Sequence, residues 1–249
     1  MRGPLRQIAV VLAATVNLVF NGLAGAGLLF GVQTGAVSDG VPTGVTPAGW
    51  AFAIWSVIFV GVAVFAVWQA LPAQRGPRYD AVGAPFVLAN LLNGFWQIPW
   101  LTERFGVAAL VIVGILGSLV WLYVRLDALG LRGIERWTLG LPTSLFMAWL
   151  AVATPLNVTV WLRSTGWTTD ALVWPVALVL VVGAVGAWLL WRTGDLAIAL
   201  VLLWAFAAIA AANGEGALHI ALGVAALAVV SAAVRGMVRY SPLPTARAV

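Results

Sequence analysis

The sequence predicts an all-α protein, a polytopic transmembrane helix bundle of about eight spans. Its composition is the first reason: 63% of the 249 residues are hydrophobic and 8% are charged, too few polar side chains to cover a water-soluble globule. The second is that apolar runs of about 20 residues, the length that crosses a bilayer, follow one another with short connections. The third is that basic residues stand singly at the ends of these runs.

The spans are delimited by clusters of glycine and proline. Such clusters lie at 40–47 before the second span, at 72–77 after it, and at 214–216 between the last two. The predicted helices are 5–31, 49–71, 82–101, 105–126, 137–162, 171–191, 196–213 and 216–238.

The arginines predict the topology of these spans. With the amino terminus in the cytoplasm, eleven of them fall on the cytoplasmic side and only Arg104 and Arg163 fall outside. The cytoplasmic set is Arg2, Arg6, Arg75, Arg78, Arg125, Arg132, Arg136, Arg192, Arg235, Arg239 and Arg247. We therefore expect an integral protein of the cell membrane with both termini in the cytoplasm, in contact with membrane lipids.

The first predicted helix carries Gly27 and Gly31, a spacing that lets two helix backbones approach closely. Packing within the bundle is the simpler explanation of this pattern. The alternative is a contact between two copies of the chain, so a homodimer is also considered.

Several kinds of chemistry are excluded by composition. The chain has no cysteine and no lysine, which removes thiolate ligands, disulfides and Schiff bases, and its single histidine cannot form a multi-histidine metal or haem site. We expect no bound metal and no resident cofactor. The net charge of +5 follows from the arginines at helix ends, so no binding to nucleic acid is expected.

Amides and tryptophans recur within three of the apolar spans, and this pattern is the main indication of function. Buried amides are unfavourable in hydrocarbon unless they find partners, so grouped amides indicate a polar network or a ligand site. At about 100° per residue the amides of the third helix share one face, and the other groups lie in the same predicted half of the membrane. The candidate ligand-binding residues are Asn21, Trp50, Phe52, Trp55, Asn90, Asn93, Trp96, Gln97, Trp149 and Asn157.

A structural explanation of the same residues stays open. Tryptophans near helix ends form interfacial belts, and amides hydrogen-bond between helices without any ligand. Trp149, however, lies in the middle of its span with amides nearby, which favours an aromatic pocket for a flat, largely apolar ligand.

These motifs resemble those of the translocator protein or tryptophan-rich sensory protein family (TspO/MBR). The family combines Pro-x-x-Trp-x-Phe and a further Trp at the second helix, Asn-x-x-Trp in the third, and Pro followed by Trp-x-x-x-Ala-x-x-Leu-Asn in the fifth. The matching residues here, in the same order, are Pro47, Trp50, Phe52, Trp55, Asn93, Trp96, Pro142, Trp149, Ala153, Leu156 and Asn157. The resemblance covers roughly residues 5–165.

The resemblance implies a five-helix domain over residues 1–165 that binds tetrapyrroles, sterol-like molecules or other hydrophobic ligands, with residues 32–48 as a lid. About three further helices would form a C-terminal membrane extension over residues 166–249. Two other functions remain as alternatives: a secondary transporter of a small hydrophobic substrate, and a porphyrin-degrading enzyme. No catalytic residue is identified, and we expect binding rather than catalysis.

Glu215 and His219 stand four residues apart at the start of the last predicted helix. The simpler interpretation is a polar turn in which Glu215 favours the positive end of the helix. A proton-linked pair is the alternative, because histidine titrates near neutral pH.

Overall fold

The chain folds into helices throughout the part that the computed structural model describes, namely residues 1–41, 43–168, 172–214 and 216–240, without the side chains of 238–240. This confirms the all-α prediction. The helices are α1 Gly3–Gly25, α2 Thr34–Asp39, α3 Ile54–Ala70, α4 Asp80–Leu101, α5 Phe105–Ala128, α6 Leu141–Ser164, α7 Val173–Thr193, α8 Leu196–Ala212 and α9 Ala217–Tyr240. A 3-10 turn at Gly49–Ala53 leads into α3, and a π turn at Arg136–Gly140 leads into α6.

Local sequence explains several helix ends. Proline stands in the first turn of α1, where its missing N–H has no helical partner to lose. Gly194 ends α7 in the left-handed conformation at φ +66°, which glycine adopts without steric strain. Asp195 then caps α8, because its side chain accepts a hydrogen bond from the backbone N–H of Ala197 at 3.1 Å. The short α7–α8 connection makes these two helices antiparallel neighbours.

The outer surface of the bundle is apolar, as a lipid-facing surface should be. On α3, for example, Val57, Val60, Val64 and Val67 are exposed along one helical stripe. Among the described residues, six helical segments are both long and apolar enough to cross a membrane. They are Gly3–Gly25, Gly49–Ala70, Phe105–Ala128, Arg136–Ser164, Val173–Thr193 and Ala217–Met237.

The other two long helices explain why the number of spans stays approximate. Helix α4 has 22 residues but carries Asn90, Asn93 and Gln97, which lower its apolar character. Helix α8 is apolar but has only 17 residues, slightly short for a perpendicular crossing.

The first helix is shorter than predicted, and its extension to residue 31 is wrong. It ends at Gly25, and the chain then turns through Gly27 at φ +71°, Phe30 at φ +58° and Gly31 at φ +72°. Because Gly27 and Gly31 lie outside a helix, they do not form the helix-packing face that their spacing predicted. A homodimer therefore has no support from this pattern.

The bundle is built around α6. Helix α1 packs on α3 and α4, α4 on α5, and α5 and α3 on α6. Helix α8 packs on α6 and connects it to the closely packed pair α7 and α9. Gly94 allows α4 to approach α1 closely, since a Cβ at this position would lie 3.3 Å from the Cα of Asn17.

The buried, charged side chain of Arg6 links α1 to the connection between α3 and α4. Arg6 is fully buried, and its guanidinium is paired with Asp80 at 2.5 Å and donates to the backbone carbonyls of Gly76 and Gln74. Several hydrogen bonds are needed here because an unpaired buried guanidinium would be strongly unfavourable. The contact fixes the end of α1 that lies farthest from the cavity described next.

Candidate functional site

A cavity lies between α2 with the segment that follows it and the helices α3, α4, α5 and α6. We call it the aromatic cavity. The space open to the centre of a water-sized sphere is about 60 Å³. It is lined by Thr34, Ser38, Thr43, Thr46, Pro47, Phe52, Trp55, Asn93, Trp96, Gln97, Trp100, Ile112, Trp149, Leu150, Ala153, Leu156, Asn157 and Val160.

Most of the residues predicted to bind a ligand lie in this one wall. Those that line the cavity are Phe52, Trp55, Asn93, Trp96, Gln97, Trp149 and Asn157. Asn21 and Asn90 do not line it, but belong to a hydrogen-bond network beside it. Trp50 does not line it either. The three sequence motifs therefore converge, while the binding role of these residues stays a prediction.

Indole and phenyl rings meet edge to face around the cavity. The Trp149 ring lies 6.3 Å from Phe52 at 84° and 6.4 Å from Trp55 at 85°, measured between ring centroids. On the opposite wall Trp96 and Trp100 are stacked at 5.0 Å and 22°. Such ring pairs restrict each other's orientation. The cavity thus has largely aromatic, apolar walls.

A chain of side-chain amides connects α1 to α4 beside the cavity. Asn17 is its centre: its Oδ1 accepts hydrogen bonds from Asn21 Nδ2 and from Asn93 Nδ2, each at 2.7 Å, and its Nδ2 donates to Asn90 Oδ1 at 2.7 Å. Gln97 Nε2 extends the chain by donating to Asn21 Oδ1 at 2.7 Å. For Asn21 and Asn90 the structural explanation, hydrogen bonding between helices, therefore accounts for their presence.

The network continues into α2, which covers one side of the cavity. Thr34 Oγ1 donates to Gln97 Oε1 at 2.8 Å, and Trp100 Nε1 donates to the backbone carbonyl of Thr34 at 3.1 Å. These bonds hold the start of the predicted lid against α4. Within residues 32–48, the side chains that reach the cavity are Thr34, Ser38, Thr43, Thr46 and Pro47, and Pro42 lies outside the described residues.

Three polar atoms in the cavity wall have no hydrogen-bond partner among the described residues. They are the indole Nε1 of Trp96, the indole Nε1 of Trp149 and the Oδ1 of Asn157. The three side chains are only 7%, 2% and 7% exposed. Buried polar atoms are normally paired, and each unpaired one costs about 1–3 kcal/mol. The wall therefore contains two donors and one acceptor that no described residue satisfies.

Sequence reasoning missed the threonines of the wall. Thr34, Thr43 and Thr46 lie on the chain between α1 and α3, where no helical period indicates the direction of a side chain. Asn17 was not among the candidate residues either. Its position four residues before Asn21 on the same helix was the available signal for its role in the network.

Trp50 packs against the C-terminal half of the chain. Its ring contacts that of Trp204 in α8 at 4.7 Å and 85°, and its side chain is 46% exposed. Next to it, Trp204 Nε1 donates to the backbone carbonyl of Ala51 at 3.0 Å. Helix α8 thus contacts Trp50 and Ala51, which directly precede the cavity-lining residue Phe52.

The model of the family described as TSPO-like protein matches residues 7–237 of the chain. The chain belongs to this family. The match extends far beyond residue 165, so it includes helices α7 to α9 as well as the five helices of the predicted resemblance. Together with the six apolar helices, membership identifies a TspO-like integral membrane protein. The comparisons with curated proteins and with solved structures give no match.

In this TSPO-like protein, the division into residues 1–165 and 166–249 stays a prediction. The described structure shows that the two parts touch, through α6 and α8 and through Trp50 and Trp204. His219 is half-buried at the start of α9, and its Nδ1 has no partner among the described residues. Glu215 lies outside the described residues, so the predicted Glu215–His219 pair does too.

Proposed function

We propose that this TSPO-like protein is a membrane sensory or receptor protein that binds a flat, largely apolar ligand, such as a tetrapyrrole, in the aromatic cavity. Such a ligand would lie against the indole rings and hydrogen-bond to the wall. The family membership and the convergence of Trp96, Trp149 and Asn157 on one cavity support the proposal.

The observation that carries it is the set of unpaired polar atoms. Trp96 Nε1 and Trp149 Nε1 can each donate one hydrogen bond, and Asn157 Oδ1 can accept one. A tetrapyrrole with carboxylate side chains and pyrrole N–H groups has acceptors and donors of the required kinds. A purely aliphatic ligand would leave all three atoms unpaired and would gain nothing from them.

The present volume sets a requirement for binding. About 60 Å³ holds a few water molecules, whereas pockets for drug-sized ligands measure about 300–1,000 Å³. Tetrapyrrole binding therefore needs the cavity to widen. The predicted lid is the part of the wall with the least helical structure, and we expect it to move outwards while the helices keep their positions.

We also propose an orientation, with both termini in the cytoplasm and the aromatic cavity towards the opposite face of the membrane. The distribution of arginines supports it. Reporter enzymes fused after residue 249 would test it, since a reporter active only outside the cytoplasm would contradict this orientation.

The proposed function is tested by titrating the purified protein in nanodiscs with protoporphyrin and following the Soret band. We expect saturable binding, weakened about tenfold in Trp149→Phe, because the loss of one hydrogen bond worth about 1.4 kcal/mol is a tenfold change in Kd. Trp121→Phe is the control, because Trp121 is an exposed residue of α5 and does not line the aromatic cavity. Absence of saturation, or equal weakening in both variants, would contradict the proposal.

A further inference from the structure

We propose that helix α8 controls access to the aromatic cavity by holding residues 46–51, here called the cap segment, over its entrance. The positioning residues are Trp204 and Asn213. The proposal rests on the proposed function for its biological meaning, while the access it describes can be measured without any ligand.

Three hydrogen bonds fasten the cap segment to α8. The backbone N–H of Ala48 donates to the carbonyl of Ala208 at 3.0 Å. At the two ends of the segment, Trp204 Nε1 donates to the carbonyl of Ala51 at 3.0 Å, and Asn213 Nδ2 donates to the carbonyl of Thr46 at 3.1 Å. Backbone groups of a loop need such partners when they are removed from water. In this protein α8 supplies them.

The fastened segment is continuous with the cavity wall. Thr46 and Pro47 line the cavity directly, and Phe52, which follows the segment, lies edge to face with Trp149. Any displacement of the cap segment from α8 therefore opens the cavity. Helix α8 thus acts on the proposed ligand site through the cap segment.

A second cleft lies on the other side of the cap segment, between it and the end of α8. It measures about 300 Å³ and is lined in part by Asp39, Gly49 and Asn213. It shares Thr43, Thr46 and Pro47 with the aromatic cavity, so these residues separate the two spaces. In this arrangement a ligand first enters this cleft and then passes the cap segment to reach the aromatic cavity.

Access is tested with a cysteine introduced into the cavity wall, which is possible because the chain has no cysteine of its own. Ala153 lines the cavity, and Ala153→Cys provides a thiol whose modification by a small methanethiosulfonate reports opening. In this background Trp204→Phe keeps a ring beside Trp50 but loses the hydrogen bond to Ala51. We expect modification to become roughly three- to tenfold faster, the range that one net hydrogen bond corresponds to.

A matched control is present in the same half of the chain. Trp174 Nε1 donates to Thr159 Oγ1 at 3.0 Å, an indole hydrogen bond that links α7 to α6 and does not involve the cap segment. Trp174→Phe should leave the modification rate unchanged. Asn213→Ala should increase the rate as Trp204→Phe does, and the double variant should exceed both. Equal rates in Trp204→Phe and Trp174→Phe would overturn the proposal.

A second measurement separates this proposal from the proposed function. If protoporphyrin binds, its association and dissociation should both become faster in Trp204→Phe, with a smaller change in Kd. Unchanged rates despite binding would overturn control by α8. If protoporphyrin does not bind but thiol access still depends on Trp204, then the proposed function fails and the access role of α8 stands.

Discussion

Two cavities of the described structure lie towards opposite ends of α5 and α6, and they differ in how their polar groups are satisfied. The aromatic cavity measures about 60 Å³ and the other, the wide cavity, about 590 Å³. The smaller one contains buried indole N–H groups without partners. The lining of the wide cavity includes Tyr123, Ser144 and Asp195, and the first two each donate a hydrogen bond to the third.

The polar residues of the wide cavity are held together at the cap of helix α8. Asp195 Oδ2 accepts hydrogen bonds from Ser144 Oγ at 2.5 Å and from Tyr123 OH at 3.3 Å, while its Oδ1 accepts the bond that caps α8. These bonds join α5, α6 and α8. Volume alone therefore does not distinguish a binding site here. The two cavities differ in whether their polar groups are paired, and the effect of this difference can be tested on each side.

The largest expected effect concerns the paired amides beside the aromatic cavity. Asn17→Ala leaves Asn93 Nδ2 and Asn90 Oδ1 without their partner, so we expect the free energy of unfolding to fall by roughly 3 kcal/mol or more. Unfolding in mixed detergent, followed by circular dichroism, would measure it. Asn157→Ala is the comparison, because it removes an oxygen that has no partner, and it should cost clearly less. Equal losses would show that the network does not stabilise the bundle.

The second effect tests the wide cavity. Asp195→Ala removes the cap of α8 and the acceptor for Ser144 and Tyr123, and we expect a loss of about 2 kcal/mol in the free energy of unfolding. Asp195→Asn keeps an acceptor of similar shape and should recover most of this loss. Both variants should bind protoporphyrin as the unmodified protein does. Weakened binding in Asp195→Asn would instead show that the two cavities are coupled.

The same comparison indicates what sequence could and could not predict. The helical fold followed from composition and apolar runs, and Asn93, Trp96 and Trp149 were found because their types and spacing are unusual within apolar helices. Thr46 was missed because its role comes from the path of a loop. Trp50 was placed in the wall, yet its ring packs on Trp204, a contact between residues far apart in sequence that no local period indicates.

The position of α8 was equally beyond a local prediction. The motifs indicated five helices followed by an extension, and nothing in the extension itself pointed to the cap segment. Asn213 was not among the candidate residues, yet its side chain donates a hydrogen bond to the backbone carbonyl of Thr46. Such contacts depend on how whole helices pack, and this is decided by the sum of many weak surface interactions.

The smallest expected effect lies at the rim of the wide cavity, in the connection between α5 and α6. Burial acts to raise the pKa of Glu135, but hydrogen bonds from Arg78, Tyr79 and the backbone N–H of Arg132 outweigh it and lower this pKa overall. A carboxylate whose pKa is lower in the folded state stabilises the fold above its ordinary pKa of 4.5, and this contribution disappears as the pH falls through the folded value.

We therefore expect the melting temperature of Glu135→Gln to lie below that of the unmodified protein at pH 7. At pH values below 4.5 the two melting temperatures should approach each other. Thermal unfolding of both proteins would measure the difference in melting temperature at each pH. Tyr79→Phe removes only the 2.6 Å hydrogen bond to Glu135 Oε1, so its melting temperature at pH 7 should fall by less than that of Glu135→Gln. If the difference in melting temperature between Glu135→Gln and the unmodified protein is the same at both pH values, packing around the side chain, and not its charge, stabilises the connection between α5 and α6.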